Sequence, residues 1–205
     1  MVRTVASIKA SVDELARREA AFAKVLDRLG HPEPRVSERG SQTLLRTIVG
    51  QQVSVAAARS MWNKLTAKLG QPVDLHKLLS SSDEELREAG LSRQKAGYAR
   101  SLAGLVLSGE LDLDELPVDD EEAIELLTRV KGIGRWSAEI YLLFAEGRPD
   151  AFPAGDLAVQ VEIGKLLGLP ERPSEKKLRE LAESWRPHRG AAAVLAWHSY
   201  NSEVI

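Results

Sequence analysis

Apolar residues recur along this chain at three- and four-residue intervals almost throughout, and the stretches between carry helix-start and helix-stop residues. That pattern predicts an all-α fold. Residues 11–29 put Leu15, Phe22, Val25, Leu26 and Leu29 on one broad apolar face, with Ser11 and Glu14 in capping-box spacing at its start. The two prolines of "GHPEPRV" then end the helix. Further helices are predicted through "SQTLLRTIVGQQVS" and "SVAAARSMWNKLTAKLG", with Gly70 and Pro72 closing the second. The remaining ones run from Ser82 to Gly90, Ser92 to about Leu107, Asp119 to Val130, 135 to 146, Asp156 to Leu167, Ser174 to about Trp185, and Gly190 to Tyr200. Proline-rich breaks near 31–34 and 147–153 suggest a central lobe, 35–148, and a second lobe built from 1–34 plus 149–205.

Composition narrows the chemistry. The 205 residues, 43% hydrophobic and 28% charged, suit a water-soluble protein, and no apolar run approaches the roughly 20 residues that span a bilayer. The start turns charged where a signal peptide would be apolar, so the expected compartment is the cytoplasm and no membrane partner is expected. With no cysteine, disulfides, thiolate zinc sites and cysteine-held iron–sulfur clusters are excluded. The four histidines lack metal-site spacing. A net charge of -2 means that any affinity for nucleic acid comes from locally arranged groups.

One short stretch, "TRVKGIGRWSAE" at 128–139, interrupts the helical pattern with two glycines. Such a hairpin can be purely structural, because left-handed geometry at a helix end favours glycine. It can also bind phosphate: Gly132 and Gly134 leave their N–H groups accessible, and the next helix starts immediately afterwards with its own unpaired N–H groups. Ser137 adds a hydroxyl, and Lys131 and Arg135 supply positive charge. Contacts of this kind hold a nucleic-acid backbone without reading bases. Trp136, Ile140 and Leu143 share a helix face, which serves either as core or, at Trp136, as a platform for an extruded base.

Twenty residues beyond Trp136, "AFPAGDLAVQ" puts Asp156 at a helix start. An N-cap explains it without chemistry. Equally, an ionised carboxylate in a cleft can stabilise a positively charged sugar or orient water toward it. Ordinary glycosidases need a second acid to protonate the leaving group. None accompanies Asp156 locally, which points to a leaving group that departs unaided, such as a base made cationic by alkylation.

The hairpin "VKGIGRWSAE", the aspartate of "FPAGDLAVQ" and the upstream "RTIVGQQVSVAAARSMWNKL" together resemble the helix-hairpin-helix (HhH-GPD) DNA glycosylases, in particular the 3-methyladenine DNA glycosylase II (AlkA-like) branch. The resemblance runs from about residue 30 to the end. It implies two helical lobes with the active-site cleft between them and the helix-hairpin-helix at about 121–146. Gly132, Ile133 and Gly134 match the hairpin whose amides grip DNA phosphates, and Ser137 matches a neighbouring hydroxyl position. Asp156 matches the catalytic aspartate. Trp136 and Trp197 match aromatic positions lining the base pocket, and Gln52 falls where relatives insert a side chain into the gap left by a flipped nucleotide.

The resemblance further implies hydrolysis of the N-glycosidic bond of alkylated purines, 3-methyladenine and 7-methylguanine among them, during base-excision repair. The expected partner is damaged double-stranded DNA, met by a monomer in the cytoplasm of a prokaryotic-type cell. No cofactor is consumed, although hairpin carbonyls can hold a Na or K ion. Strand-nicking relatives carry a lysine where this chain has Trp136, so no lyase activity is expected. The 205 residues leave no space for the N-terminal β domain of some relatives. The alternative is a non-catalytic helix-hairpin-helix module that recognises damage without releasing a base.

Overall fold

The computed structural model describes residues 5–203, and their regular structure is helical. The chain divides into two compact units, one comprising the chain up to Val36 and from Glu139 onward, the other running from Ser37 to Ala138. These boundaries, 36/37 and 138/139, compare with the expected 34/35 and 148/149, and the second differs more. Most of the helix Arg135–Phe144 belongs with the chain ends, where Glu139, 1% exposed, pairs with Arg179 at 2.8 Å. Among the described residues, no helix is long and apolar enough to cross a membrane.

In the first unit, α1 (Val5–Arg18) and α2 (Ala20–Leu29) replace the single helix expected over 11–29. Glu19 is extended, with φ -128 and ψ 109, and the change of direction lets Val12 and Leu15 enter the same core as Phe22 and Val25. Ser11 is buried inside α1 rather than capping it, while Glu14 bonds to Arg18 at 2.6 Å. No capping box exists there.

Trp185 anchors this core, meeting Phe22 edge-on at 5.1 Å and Phe152 at 6.3 Å. Around it pack the helices Leu157–Leu166, Glu175–Ala182 and Arg189–Glu203. In the last of these, Ala191, Ala192, Ala193 and Ala196 are fully buried, and small side chains let neighbouring backbones come close.

The second unit contains α3 (Ser41–Gly50), α4 (Val55–Leu69), α5 (Leu75–Ser80), α6 (Asp83–Glu88), α7 (Arg93–Leu107), α8 (Asp120–Thr128) and the first turn of α9 (Arg135–Phe144). Its capping is legible: Ser82 and Glu85 form a reciprocal box at α6, Ser92 caps α7, and Asp119 accepts from two amides of α8. The short α5 escapes the periodicity. It is held by Asp74, which accepts from His76 N at 2.8 Å and Lys77 N at 3.1 Å, and by the fully buried Leu78. Leu44, Leu45 and Ile48 of α3 supply the core against α4 and α7. In chain order the first unit's remaining helices are α10 (Leu157–Leu166), α11 (Glu175–Ala182) and, after a 3-10 turn at Glu183–Trp185, α12 (Arg189–Glu203).

Candidate functional site

Between α8 and α9 the chain makes a tight turn anchored by two apolar residues. Val130 is fully buried and Ile133 is 3% exposed, and Ile133 N donates to Val130 O at 3.0 Å. The two glycines have different physical reasons. Gly132 sits at φ +85, and a Cβ there would lie 2.2 Å from the Tyr98 ring, so the fold itself demands glycine. Gly134 has no positive φ, and a Cβ would meet nothing within 4 Å. Nothing in the packing requires its missing side chain, whereas a ligand approaching its N–H would.

The other hairpin residues fall into distinct settings. Lys131 is exposed, and among the described residues its ammonium has no protein partner, while its backbone N–H donates to Ser101 Oγ at 3.1 Å. Arg135 is committed to a forked pair with Glu121 at 2.8 and 2.5 Å. That pair is solvent-exposed and so holds the arginine only weakly, by about 0–1 kcal/mol. Ser137 is 9% exposed and turned largely into the protein. Trp136 is 46% exposed, which removes the core explanation for it, although Leu143 on the same predicted stripe is fully buried.

Gln52 lies in the loop joining α3 to α4, exposed and at φ 54, a left-handed conformation that costs a glutamine about 1–2 kcal/mol. Its neighbour Gln51 reaches inward, and Nε2 donates to Gly132 O at 2.7 Å. The loop and the hairpin line one cavity of about 370 Å³, together with Ser92, Gln94 and Tyr98 of the α7 start. Lys95 also faces it, donating to Val49 O at 2.8 Å, and partial burial pushes its ammonium below the ordinary lysine range. Gln51, Tyr98 and Lys95 were not anticipated. The repeated "GQQ" was the one available signal for Gln51, since adjacent residues of an irregular loop can face opposite ways.

In the first unit, Asp156 caps α10 and does more besides. Its Oδ1 accepts from Val159 N at 3.0 Å and from Trp197 Nε1 at 3.1 Å, so the carboxylate is tied to an indole on α12, forty-one positions along the chain. The loop before it is pinned by Gln160 Nε2 to Ala154 O at 2.8 Å and by Arg179 Nη1 to Phe152 O at 3.2 Å. Leu157, immediately after Asp156, is an exposed apolar side chain. Oδ1 thus serves the cap and the indole at once.

Trp197 is half-buried and stands 5.8 Å from Phe144, rings tilted by 33°. Both border a cavity of about 340 Å³ that Pro34, Arg35, Val194 and Asn201 complete. The Arg35 guanidinium lies over the Phe144 ring at 5.5 Å. Phe144 follows Trp136 and Ile140 at the next step of four, so its face was readable, but its neighbours across the unit were not. Among the described residues, no three His, Cys, Asp or Glu side chains gather as metal ligands.

The HhH-GPD superfamily model, described as a base excision DNA repair protein, matches residues 45–187. DNA-3-methyladenine glycosylase 1 of Schizosaccharomyces pombe is 32% identical over 160 residues, covering 76% of this chain and 70% of that protein. DNA-3-methyladenine glycosylase 2 of Escherichia coli is 26% identical over 76% of this chain and 56% of its own length. Two other curated relatives match across 57% and 33% of their own length, so the chain spans little more than half, or a third, of several proteins it resembles.

Among solved structures, a DNA-3-methyladenine glycosidase from Bacillus halodurans matches with TM-score 0.87 and 30% identity, over 95% of this chain and 90% of that one. A 3-methyladenine DNA glycosylase of Schizosaccharomyces pombe, solved in complex with abasic DNA, matches with TM-score 0.78 and 26% identity over 96% and 97%.

Proposed function

From a chain that belongs to the HhH-GPD superfamily of base excision DNA repair proteins, we propose a monofunctional DNA-3-methyladenine glycosylase that removes alkylated purines from duplex DNA. The observation that carries this reading is the Asp156–Trp197 bond. It ties a carboxylate to an indole that itself borders a cavity of about 340 Å³.

In the proposed reaction the damaged nucleotide leaves the stack and its base stacks on Trp197, with Trp136 as the second aromatic contact. Asp156 stabilises the oxocarbenium-like sugar as the glycosidic bond breaks and orients water toward the anomeric carbon. The electron pair of the bond leaves with the base, and 3-methyladenine or 7-methylguanine, already cationic in DNA, accepts it without a general acid. Free base and an abasic site result. Trp136 offers no amine for a Schiff base, so the strand stays intact.

DNA backbone is held by the Gly134 N–H and the start of α9, with Lys131 as the nearest unengaged cation and Arg135 able to exchange Glu121 for phosphate. Ile133 serves as the buried anchor of that grip, and Gly132 as its pivot. Gln52 fills the space the nucleotide vacates. A Na or K ion on hairpin carbonyls would share Gly132 O with the Gln51 amide and Val130 O with the Ile133 N–H. Each carbonyl keeps a second lone pair for it. We further propose a monomer that acts on its DNA in the cytoplasm.

The test is a panel of duplexes carrying 3-methyladenine, 7-methylguanine, ethenoadenine or hypoxanthine, assayed for free base and for strand breaks before and after alkali. Release of the two methylated bases with breaks only after alkali is expected. Breaks before alkali refute monofunctional action. Damage-specific binding with no release leaves the non-catalytic module instead.

A further inference from the structure

Gln51 and Gln52 are adjacent, yet they face opposite ways. Gln51 is extended, at φ -60 and ψ 132, and its amide is bonded into the hairpin at Gly132 O. Gln52, next to it in left-handed conformation, is exposed. One trans peptide plane separates their Cα atoms by about 3.8 Å, so tethering Gln51 to the hairpin also fixes where the backbone of Gln52 starts.

Gly132 is itself immobilised. The Tyr98 ring fills the space where its Cβ would be, and the N–H of the preceding residue, Lys131, donates to Ser101 Oγ at 3.1 Å. Two residues further on is Gly134, the glycine the packing does not require. A rigid path therefore leads from an outward loop tip through a half-buried amide to the backbone that precedes α9, all within one compact unit.

We propose that Gln51 is a positioning residue that fixes the register between the inserted side chain and the phosphate grip. This rests on the reading of Gln52 as the residue that fills the gap. With the register held, both contacts form together only on a duplex whose vacated position lies at the right distance from the gripped phosphate. Intact duplex engages the grip alone. Gln51 thus contributes to discrimination between damaged and undamaged DNA, without touching either.

The experiment is a double-mutant cycle on the full chain, reading affinity for a duplex with a tetrahydrofuran abasic analogue and for the same duplex undamaged. Neither duplex can be turned over. Gln51→Leu is expected to lower the abasic-to-undamaged affinity ratio about 5-fold, the worth of one well-placed hydrogen bond, while undamaged affinity changes less than about 2-fold. In a Gln52→Ala background the same change is expected to move the ratio less than about 2-fold.

A merely structural role predicts otherwise: both duplexes weaken together, or the ratio falls equally in both backgrounds, and either result overturns the proposal. So does an unchanged ratio in Gln51→Leu with the wild-type preference intact, which leaves the glycosylase reading standing. A wild-type protein with no preference for the abasic analogue overturns the role of Gln52 and this proposal with it.

Discussion

Changing Gly132 and Gly134 separately to alanine should separate fold from function within one turn. At Gly132 the new Cβ would lie 2.2 Å from Tyr98 Cδ2 and 2.5 Å from Cε2 and Cγ, so the ring must shift as a whole. Left-handed backbone costs alanine about 1–2 kcal/mol and the overpacking about 1–3, together about 2–5 kcal/mol. For a protein of this size that lowers Tm by on the order of 10 °C. At Gly134 a methyl meets open space and a permitted φ, so stability is unchanged or rises by up to about 1 kcal/mol. The same methyl stands between the N–H and any phosphate, and DNA affinity should fall about 5- to 10-fold. Thermal denaturation and fluorescence anisotropy with labelled duplex measure both quantities. Equal destabilisation by the two variants, or wild-type DNA binding by Gly134→Ala, would refute the division of labour.

Three further outcomes are expected. Gln52→Gly relieves the left-handed glutamine and should leave stability unchanged or raise it by about 1 kcal/mol, while preference for an abasic-analogue duplex drops; a destabilised variant would contradict the strain. Trp197→Phe keeps a ring but loses the N–H donated to Asp156 Oδ1, and single-turnover excision should slow by about 10- to 100-fold with little change in affinity.

The third outcome concerns pH. Burial, with Arg18 adding to it, holds the His188 imidazole below its ordinary 6.5 against the opposing pull of Glu14 and Asp150, and among the described residues its buried Nδ1 has no hydrogen-bond partner. The unfolded chain therefore binds that proton more readily, and stability is lost as pH falls through 6.5 toward the folded value. Urea denaturation at about pH 7.5 and about pH 5.5 should show that loss, and His188→Gln should reduce it.

Helices and their caps were readable because both signals are local. Ser82, Ser92, Asp119, Asp156 and Ser174 all accept the amide bonds that their positions suggest. The break at Glu19 was not readable, since no stop residue marks it and only the shared core around Leu15 and Phe22 explains it. The same limit applies to α9, whose later residues belong with the chain ends because of Arg179 and a buried Glu139. At the candidate sites, Asp156 and the glycines stood out by residue type and position alone. Their supports were not: Tyr98 against Gly132, Gln51 on its carbonyl and Phe144 beside Trp197 are long-range pairings, and nothing in the local pattern encodes them.

The most direct test of the central claim is single-turnover release of 7-methylguanine by Asp156→Asn, measured alongside affinity for the same duplex. An amide keeps the side chain's size and an oxygen for Val159 N and Trp197 Nε1, but removes the charge that faces the developing sugar cation. Preorganised groups of this kind are worth about 3–4 kcal/mol, so excision should fall by at least roughly 100-fold while affinity holds or rises. Near-normal excision by that variant would contradict the assignment of Asp156.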